Sequence, residues 1–118
     1  MKPRRVLFVD DDERLVHSYR RLFHPLRDRF QLRFETDPRQ AEALAAEEIW
    51  DILICDRMMP GLTGDRILEK AKSLHGETTA ILLTGEESGR DWTELPHIDH
   101  CIHKPFPFED LLRLLEEP

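Results

Sequence analysis

Long hydrophobic runs are missing from this 118-residue sequence, and cysteine is scarce. No apolar stretch approaches the roughly 20 residues that a membrane-spanning helix needs, and the N-terminal apolar segment is too short for a signal peptide. We therefore expect a soluble, cytoplasmic protein. Because no secretory signal is present, Cys55 and Cys101 are expected to be free, buried thiols in a reducing compartment.

Positive charge is also in short supply. The sequence has 17 lysines and arginines against 24 acids, which gives a net charge of -7. Direct binding of nucleic acid is disfavoured because it requires a basic surface, and a divalent cation is the favoured partner. Histidine does not supply its ligands: His97, His100 and His103 lie in or beside one short strand, where alternate side chains point to opposite faces, and match no recognised ligand spacing.

The pattern of apolar residues predicts a chain of alternating strands and helices. The length suits one domain with a single core, so we expect residues 1–118 to form one domain. Continuous apolar runs predict strands that are buried on both faces, and two more polar segments predict edge strands. The buried strands are predicted at residues 6–9, 52–55 and 80–83, and the edge strands at 31–36 and 100–103.

Helical spacing of apolar residues fills the intervals between the strands. Asp12 and Asp37 are placed to cap the first two helices, and Gly89 and Pro96 leave room for only a short fourth helix. The helices are predicted at residues 13–24, 38–48, 65–74 and 90–95, with a last one from residue 108.

Five alternations of strand and helix predict a parallel sheet with helices on both faces. The three apolar strands belong inside the sheet and the two polar strands at its edges, which is satisfied by the order 2-1-3-4-5. The predicted fold is therefore α/β and flavodoxin-like, a (βα)5 arrangement whose switch point lies between the first and third strands.

Polar residues follow the strands at the edge of the sheet where ligands bind in such folds. Asp10 and Asp11 follow the first strand and Asp56 ends the third, while Thr84 and Lys104 follow the next two. Clustered carboxylates repel one another and raise each other's pKa values. A hard cation such as Mg²⁺ relieves that repulsion and leaves room for phosphate oxygens.

This set of residues suits phosphoryl chemistry. In the presence of Mg²⁺, an aspartate can attack a phosphoryl group and form an aspartyl-phosphate. Lys104 supplies a mobile positive charge, and the Thr84 hydroxyl can donate a hydrogen bond to a phosphoryl oxygen. Gly85 leaves its backbone N–H accessible because it has no side chain. Each residue alone has a mundane role, but their joint occurrence at strand ends favours a site.

In order and spacing, the segments VLFVDDDE, DILICDRMMPGLTGDRIL, AILLTG and HKPF resemble the receiver domains of two-component response regulators. The resemblance covers residues 4–115. It implies that Asp56 accepts a phosphoryl group from the phosphohistidine of a sensor histidine kinase or phosphotransfer protein. It also implies a Mg²⁺ site formed by Asp10, Asp11, Asp56 and the Met58 backbone carbonyl, with Asp12 the less favoured ligand.

The same resemblance makes Thr84 the switch hydroxyl and Lys104 the phosphoryl-sensing lysine. Such a domain is regulatory, and not an enzyme that turns over external substrates. The family usually has Tyr or Phe at the position of Cys101 in this sequence. The fourth helix predicted for this sequence is also weaker than the fourth helix of the family. Met58 and Glu86 occupy positions that influence the lifetime of the phosphoryl group in the family. In the family, the face formed by the fourth helix, the fifth strand and the fifth helix often dimerises. We expect activation here to rearrange residues 84–89 without driving dimerisation through that face.

Two other interpretations remain open at this point. A Mg²⁺-dependent phosphatase of the haloacid-dehalogenase type would use Asp10 and Asp12 as its DxD pair, with Thr84 and Lys104, but would leave Asp56 without a role. A degenerate receiver would bind a partner without being phosphorylated. The sequence is also expected to act either as a stand-alone monomer or weak dimer, or with a C-terminal output domain in a longer chain.

Overall fold

The computed structural model describes residues 2–85 and 90–117. Their strands and α-helices alternate along the chain as the sequence predicts, except between the last two strands. The strands are β1 (Arg4–Val9), β2 (Phe30–Glu35), β3 (Ile52–Asp56), β4 (Thr79–Thr84) and β5 (His100–His103). The α-helices are α1 (Glu13–Phe23), α2 (Pro38–Glu47), α3 (Gly64–Leu74) and α4 (Phe108–Glu116), with 3-10 turns at His24–Leu26 and Trp92–Glu94.

The five strands form one parallel sheet in the order β2-β1-β3-β4-β5. This confirms the predicted flavodoxin-like topology. The register sets Val9 of β1 beside Cys55 of β3 and sets Asp56 beside Leu83 of β4. The ends of β1, β3 and β4 therefore lie next to one another at a single edge of the sheet.

Two apolar layers cover the two faces of the sheet, because successive strand side chains point in opposite directions. On one face, Leu53 of β3 packs in a cluster with Ile67 of α3 and Ala41 of α2. On the other face, Ile54 packs in a cluster with residues of α1 and α4, such as Leu111. β3 is buried along its whole length, so its last residue, Asp56, is anchored by the core.

The caps of the first two helices are as predicted. The Asp12 side chain accepts hydrogen bonds from the backbone N–H groups of Arg14 and Leu15. The Asp37 side chain accepts one from Arg39, and Pro38 occupies the first turn of α2. Asp12 is thereby engaged at the start of α1, immediately beyond the end of β1.

The connection between β4 and β5 differs from the prediction. In place of a short fourth α-helix at residues 90–95, its described part holds a single 3-10 turn, Trp92–Glu94, which is capped by Asp91. The predicted rearrangement of residues 84–89 falls largely on residues 86–89, outside the described part of the chain. Cys55 and Cys101 are both free, as expected, but Cys101 is only partly buried.

No helix in the described part of the chain combines the length and the apolar character needed to cross a membrane.

Candidate functional site

The carboxyl edge of the sheet brings the predicted polar residues together. Asp10 directly follows β1, Asp56 and Thr84 are the last residues of β3 and β4, and Lys104 directly follows β5. Lys104 is held next to β4 by its backbone N–H, which donates to the Thr84 carbonyl at 2.8 Å. The sheet itself thus fixes where these side chains begin.

Three carboxylates form a compact group at this edge. Asp10, Asp11 and Asp56 each place an oxygen atom within 4.8 Å of the others. Asp10 and Asp56 are buried, at 0% and 8% exposure, whereas Asp11 is exposed. Carboxylate oxygens with an open, solvent-facing side suit Mg²⁺, which keeps several of its waters. The donor set therefore fits the metal predicted from the sequence, and these three residues would hold it.

Lys104 lies between two of these acids. Its Nζ is 2.8 Å from Oδ2 of Asp10 and 3.1 Å from Oδ1 of Asp56. Sequence spacing predicted a lysine that would contact phosphoryl oxygens, but not this double ion pair. The lysine therefore offsets part of the repulsion among the carboxylates and already points at the oxygens of Asp56.

The acids and the lysine shift each other's protonation. Burial raises the pKa of Asp56 above its ordinary value, the charge of Asp10 raises it further, and the hydrogen bond from Lys104 opposes the rise. Burial alone would lower the pKa of Lys104, but its hydrogen bonds and ion pairs with Asp10 and Asp56 outweigh burial and raise it. Lys104 is accordingly a firm cation at neutral pH.

Asp10 is oriented from both sides of its carboxylate. Oδ1 accepts a hydrogen bond from the backbone N–H of Asp12 at 2.9 Å, while Oδ2 binds Lys104. The Asp12 carboxylate instead caps α1, and it is not part of the acidic group. This division of roles favours Asp10 and Asp11 over Asp12 as metal ligands.

The loop after β3 is pinned beneath Asp56, and the sequence pattern did not reveal how. The N–H of Gly64 donates to the Arg57 carbonyl at 2.8 Å. A Cβ atom at Gly64 would lie 2.1 Å from the Asp56 carbonyl oxygen, so only glycine fits. Gly61 supplies the positive φ of 82° that turns the loop. Pro and Gly signalled a loop here, but the close approach of Gly64 depends on the tertiary structure.

The other predicted residues occupy different settings. Thr84 is buried, at 1% exposure. A Cβ at Gly85 would meet no atom of the described residues within 4 Å, so none of those residues blocks the approach to its backbone. The Met58 side chain is 62% exposed and its sulfur accepts from Arg57 Nη1 at 3.1 Å. The role of the Met58 carbonyl as a metal ligand stays a prediction.

The histidines are not gathered into a metal site in the described residues. His97 Nδ1 lies 3.7 Å from Glu69, and His100 Nε2 lies 3.9 Å from Glu117. The acidic group formed by Asp10, Asp11 and Asp56 is the one cluster of potential metal ligands in that part of the chain.

Comparison with known proteins identifies the family. Residues 6–116 match the response regulator receiver domain, so this chain belongs to the receiver domains of response regulators, which act in two-component signalling. The match replaces the phosphatase interpretation, which belongs to another family.

Two solved structures and one curated protein illustrate the similarity. A CheY-like receiver domain protein from Methanospirillum hungatei has the same fold, with a TM-score of 0.86, 24% identity and coverage of 97% of this chain and 91% of that one. Chemotaxis response regulator CheY4 of Vibrio cholerae gives a TM-score of 0.83 and 25% identity, covering 97% of both chains. Transcriptional regulatory protein SrrA of Staphylococcus aureus is 32% identical over 112 residues, which are 92% of this chain and 45% of SrrA.

The first curated relatives are longer than this chain. The matched region covers between 17% and 45% of their length. The similarity to them therefore concerns a receiver domain and not the whole of those proteins.

Proposed function

We propose that this receiver domain is a Mg²⁺-dependent phosphoacceptor and that Asp56 carries the phosphoryl group. The observation that supports the proposal best is the position of the Asp56 carboxylate. It ends the central strand, lies with two other acids within 4.8 Å and has Lys104 Nζ at 3.1 Å. The phosphodonor would be a phosphohistidine on a sensor histidine kinase or phosphotransfer protein.

The transfer is a substitution at phosphorus. An Oδ atom of Asp56 attacks as its O–P bond forms, and the P–N bond to the donor imidazole breaks. The bonding electrons return to the imidazole nitrogen, which takes a proton from solvent. The attacking group must be ionised, and the nearby ammonium of Lys104 favours the ionised form because it opposes the rise that burial and Asp10 cause in the pKa of Asp56.

Charge compensation is the main task of the surrounding residues. A bound Mg²⁺ would supply Lewis-acid stabilisation of the phosphoryl oxygens and neutralise the three carboxylates. Lys104 would exchange part of its contact with Asp56 for a phosphoryl oxygen, since its Nζ already lies beside the attacking carboxylate. The Thr84 hydroxyl would donate a hydrogen bond to another phosphoryl oxygen. Asp10 would hold Lys104 in place through their ion pair.

The partners follow from this chemistry and from the relatives. A cytoplasmic kinase or phosphotransfer protein would deliver the phosphoryl group. Because SrrA is a transcriptional regulatory protein, this domain, residues 1–118, would control an output domain in a longer chain or a separate downstream protein. Any contact with nucleic acid would be made by that partner, because the net charge of this sequence is -7.

Intact-mass measurement tests the proposal. Incubation with Mg²⁺ and acetyl phosphate, a small phosphodonor, should add one phosphoryl group, which hydroxylamine should remove because it cleaves acyl phosphates. Chelation of the metal should prevent the addition. Asp56→Asn should abolish it, whereas Asp37→Asn, a matched change at a helix cap remote in sequence, should leave it intact.

Equal incorporation by Asp56→Asn would show that the phosphoacceptor is another residue. No incorporation by the wild-type protein, either from acetyl phosphate or from phosphorylated kinases, would favour a receiver that binds partners without being phosphorylated.

A further inference from the structure

A groove, here called the β2 groove, lies between the second half of α1 and the edge strand β2. Its volume is about 150 Å³, which suits one large apolar side chain because an apolar cavity of roughly this size holds benzene. Apolar side chains form its floor and basic ones its rim. The floor includes Phe23, Phe30 and Phe34, and the rim includes Arg20, His24 and Arg27.

The backbone of β2 is open beside this groove. β2 pairs with β1 on one side, and in the part of the chain that the structure describes no strand lies on its other side. The Arg29 and Glu35 carbonyls accept hydrogen bonds from β1, at 2.9 and 3.2 Å, so the odd-numbered residues of this segment face β1. Because successive backbone groups of a strand point to opposite sides, those of Phe30, Leu32 and Phe34 form a free edge.

The surroundings of the groove are basic, although the whole chain has a net charge of -7. Residues 14–33 contain one acid, Asp28, against arginines at positions 14, 20, 21, 27, 29 and 33. All of these arginines are exposed. Arg29 pairs with Glu116 at 2.8 Å, and the other five form no ion pair with another described residue. Such a concentration of positive charge favours an acidic partner.

Arg20 connects the charged rim to the apolar floor. Its guanidinium carbon lies 5.3 Å from the centre of the Phe34 ring, within the range of a cation–π contact. Phe34 is only half-buried and packs against the core cluster that contains Phe23 and Phe30. An apolar side chain that enters the groove therefore meets aromatic surface and brings its neighbours close to the arginines.

The free edge and the charge together define the kind of partner. An extended segment satisfies the outward backbone groups of an edge strand by β-sheet addition. Two copies of β2 would bring their arginines together, and like charges disfavour such self-pairing. The edge is therefore best suited to an acidic segment of a different protein, with apolar side chains for the floor of the groove.

We propose that the β2 groove binds an acidic segment of a partner protein, which adds as an extra strand along the free edge of β2. Apolar side chains of that segment fill the groove, and its acids pair with Arg20 and Arg27 on the rim. β1 separates β2 from β3, which carries Asp56, so the inference does not depend on the proposed phosphoacceptor function.

A synthetic acidic peptide tests the proposal on the 118-residue chain. The probe is fluorescein-labelled Glu-Glu-Phe-Glu-Val-Glu-Glu, whose two apolar residues share one face of a strand, with a glutamate beyond each of them on that face. Fluorescence anisotropy should show saturable binding. The affinity should fall as salt is added, because salt screens exposed charges.

Variants of the protein test the role of the rim. In the double variant Arg20→Gln, Arg27→Gln, binding should weaken about fivefold or more, since one exposed ion pair contributes up to about fivefold. The matched control is Arg66→Gln, Arg113→Gln, which removes the same charge from α3 and α4 and should bind within about twofold of wild type.

Amide hydrogen exchange followed by NMR tests where the peptide lies. The outward amides of Leu32 and Phe34 should exchange more slowly in the complex, whereas those of Gln31 and Arg33 face β1 and should change little. N-methylation of two adjacent central amides of the peptide removes a donor on each side of the added strand. It should weaken binding about fivefold through the lost hydrogen bond.

The opposite results overturn the proposal. The groove does not bind acidic segments if the wild-type protein shows no saturable binding, or if the rim variant binds like its control. Strand addition is wrong if the amides of Leu32 and Phe34 gain no protection. It is also wrong if a scrambled peptide of the same composition, or single-stranded DNA of the same charge, binds as tightly and depends equally on Arg20 and Arg27.

Discussion

Asp56 is the residue on which the site's electrostatics converge. Asp56 is buried, and both its burial and the charge of Asp10 raise its pKa. The ion pair with Lys104 opposes that rise. The strand-end position of this aspartate could be read from the sequence, since an apolar run simply stops there. The ion pair between Asp56 and Lys104 could not be predicted from the sequence. The two residues are 48 positions apart, and their contact depends on how the fold places a flexible lysine side chain.

The raised pKa of Asp56 predicts an unusual pH dependence in metal-free protein. Between its ordinary value of 3.8 and the higher value in the folded state, the folded protein holds more protons than the unfolded chain. Stability from this group therefore falls as pH rises through that window, by about 1.4 kcal/mol for each unit of pKa separation. Asparagine does not titrate, so Asp56→Asn lacks this loss of stability. As pH rises from 3.8, the free energy of unfolding of Asp56→Asn should therefore increase relative to that of wild type.

Urea unfolding at a series of pH values, with a chelator present, measures this difference directly. A difference between variant and wild type that stays constant from acid to neutral pH would contradict a raised pKa at Asp56.

A side chain at position 64 is predicted to clash with the backbone of Asp56. In Gly64→Ala the new Cβ would meet the Asp56 carbonyl oxygen at 2.1 Å, so the loop after β3 must shift. We expect a loss of about 1–3 kcal/mol or more in the free energy of unfolding, together with slower phosphorylation. The matched control is Gly76→Ala, whose Cβ would meet its nearest neighbour, the Lys72 carbonyl, at 3.8 Å and should cost little.

Chemical denaturation measures the free energy of unfolding, and the rate of mass gain with acetyl phosphate measures the rate of phosphorylation. A Gly64→Ala protein as stable and as quickly phosphorylated as Gly76→Ala would mean that the loop does not need glycine at this position.

At the scale of elements, the strands were easier to predict than the connections. Apolar runs locate β1, β3 and β4 to within a residue or two because burial on both faces demands them. The connection from β4 to β5 has no such constraint: Gly89 and Pro96 discourage a helix but do not specify what replaces it. Its 3-10 turn is stabilised by the burial of Trp92, which depends on contacts with residues distant in sequence.

The start of α1 predicts different roles for two neighbouring acids. Asp12 caps the helix, so Asp12→Ala should lower the free energy of unfolding by about 1 kcal/mol while keeping the stabilisation by Mg²⁺. Asp11 is exposed and belongs to the acidic group, so Asp11→Ala should change metal-free stability little and lose much of the Mg²⁺ effect. A ligand that binds only the folded state raises its stability by mass action.

Thermal melts with and without millimolar Mg²⁺ measure both effects. The assignment of ligands is wrong if Asp12→Ala loses the response to Mg²⁺ while Asp11→Ala keeps it.

At the scale of the whole molecule, the alternation of strands and helices was enough to predict the sheet and its order. The expectation that activation does not drive dimerisation stays a prediction, and it concerns the surface of α4. Its acids include Glu109 and Asp110, while Arg113 is 75% exposed and lies 4.0 Å from Asp110. Two copies of so acidic a face would repel each other.

We therefore expect the domain to stay monomeric when the proposed phosphoryl site is occupied. Sedimentation velocity in Mg²⁺, with and without the phosphoryl mimic beryllofluoride, should give the same monomer mass. A dimer that appears only with beryllofluoride and is disrupted by Arg113→Glu would contradict this expectation. The matched control is Arg14→Glu, which lies on α1, outside this face, and should not disrupt such a dimer.

The central claim is that Asp56 of this receiver domain becomes an acyl phosphate. Borohydride reduces an aspartyl-phosphate to homoserine and leaves other aspartates unchanged, so peptide mass spectrometry after reduction locates the phosphorylated residue. We predict homoserine at position 56, dependent on Mg²⁺ and on the phosphodonor, and none at positions 10 or 11. Homoserine at either of those positions, or phosphorylated protein without homoserine at 56, would contradict it.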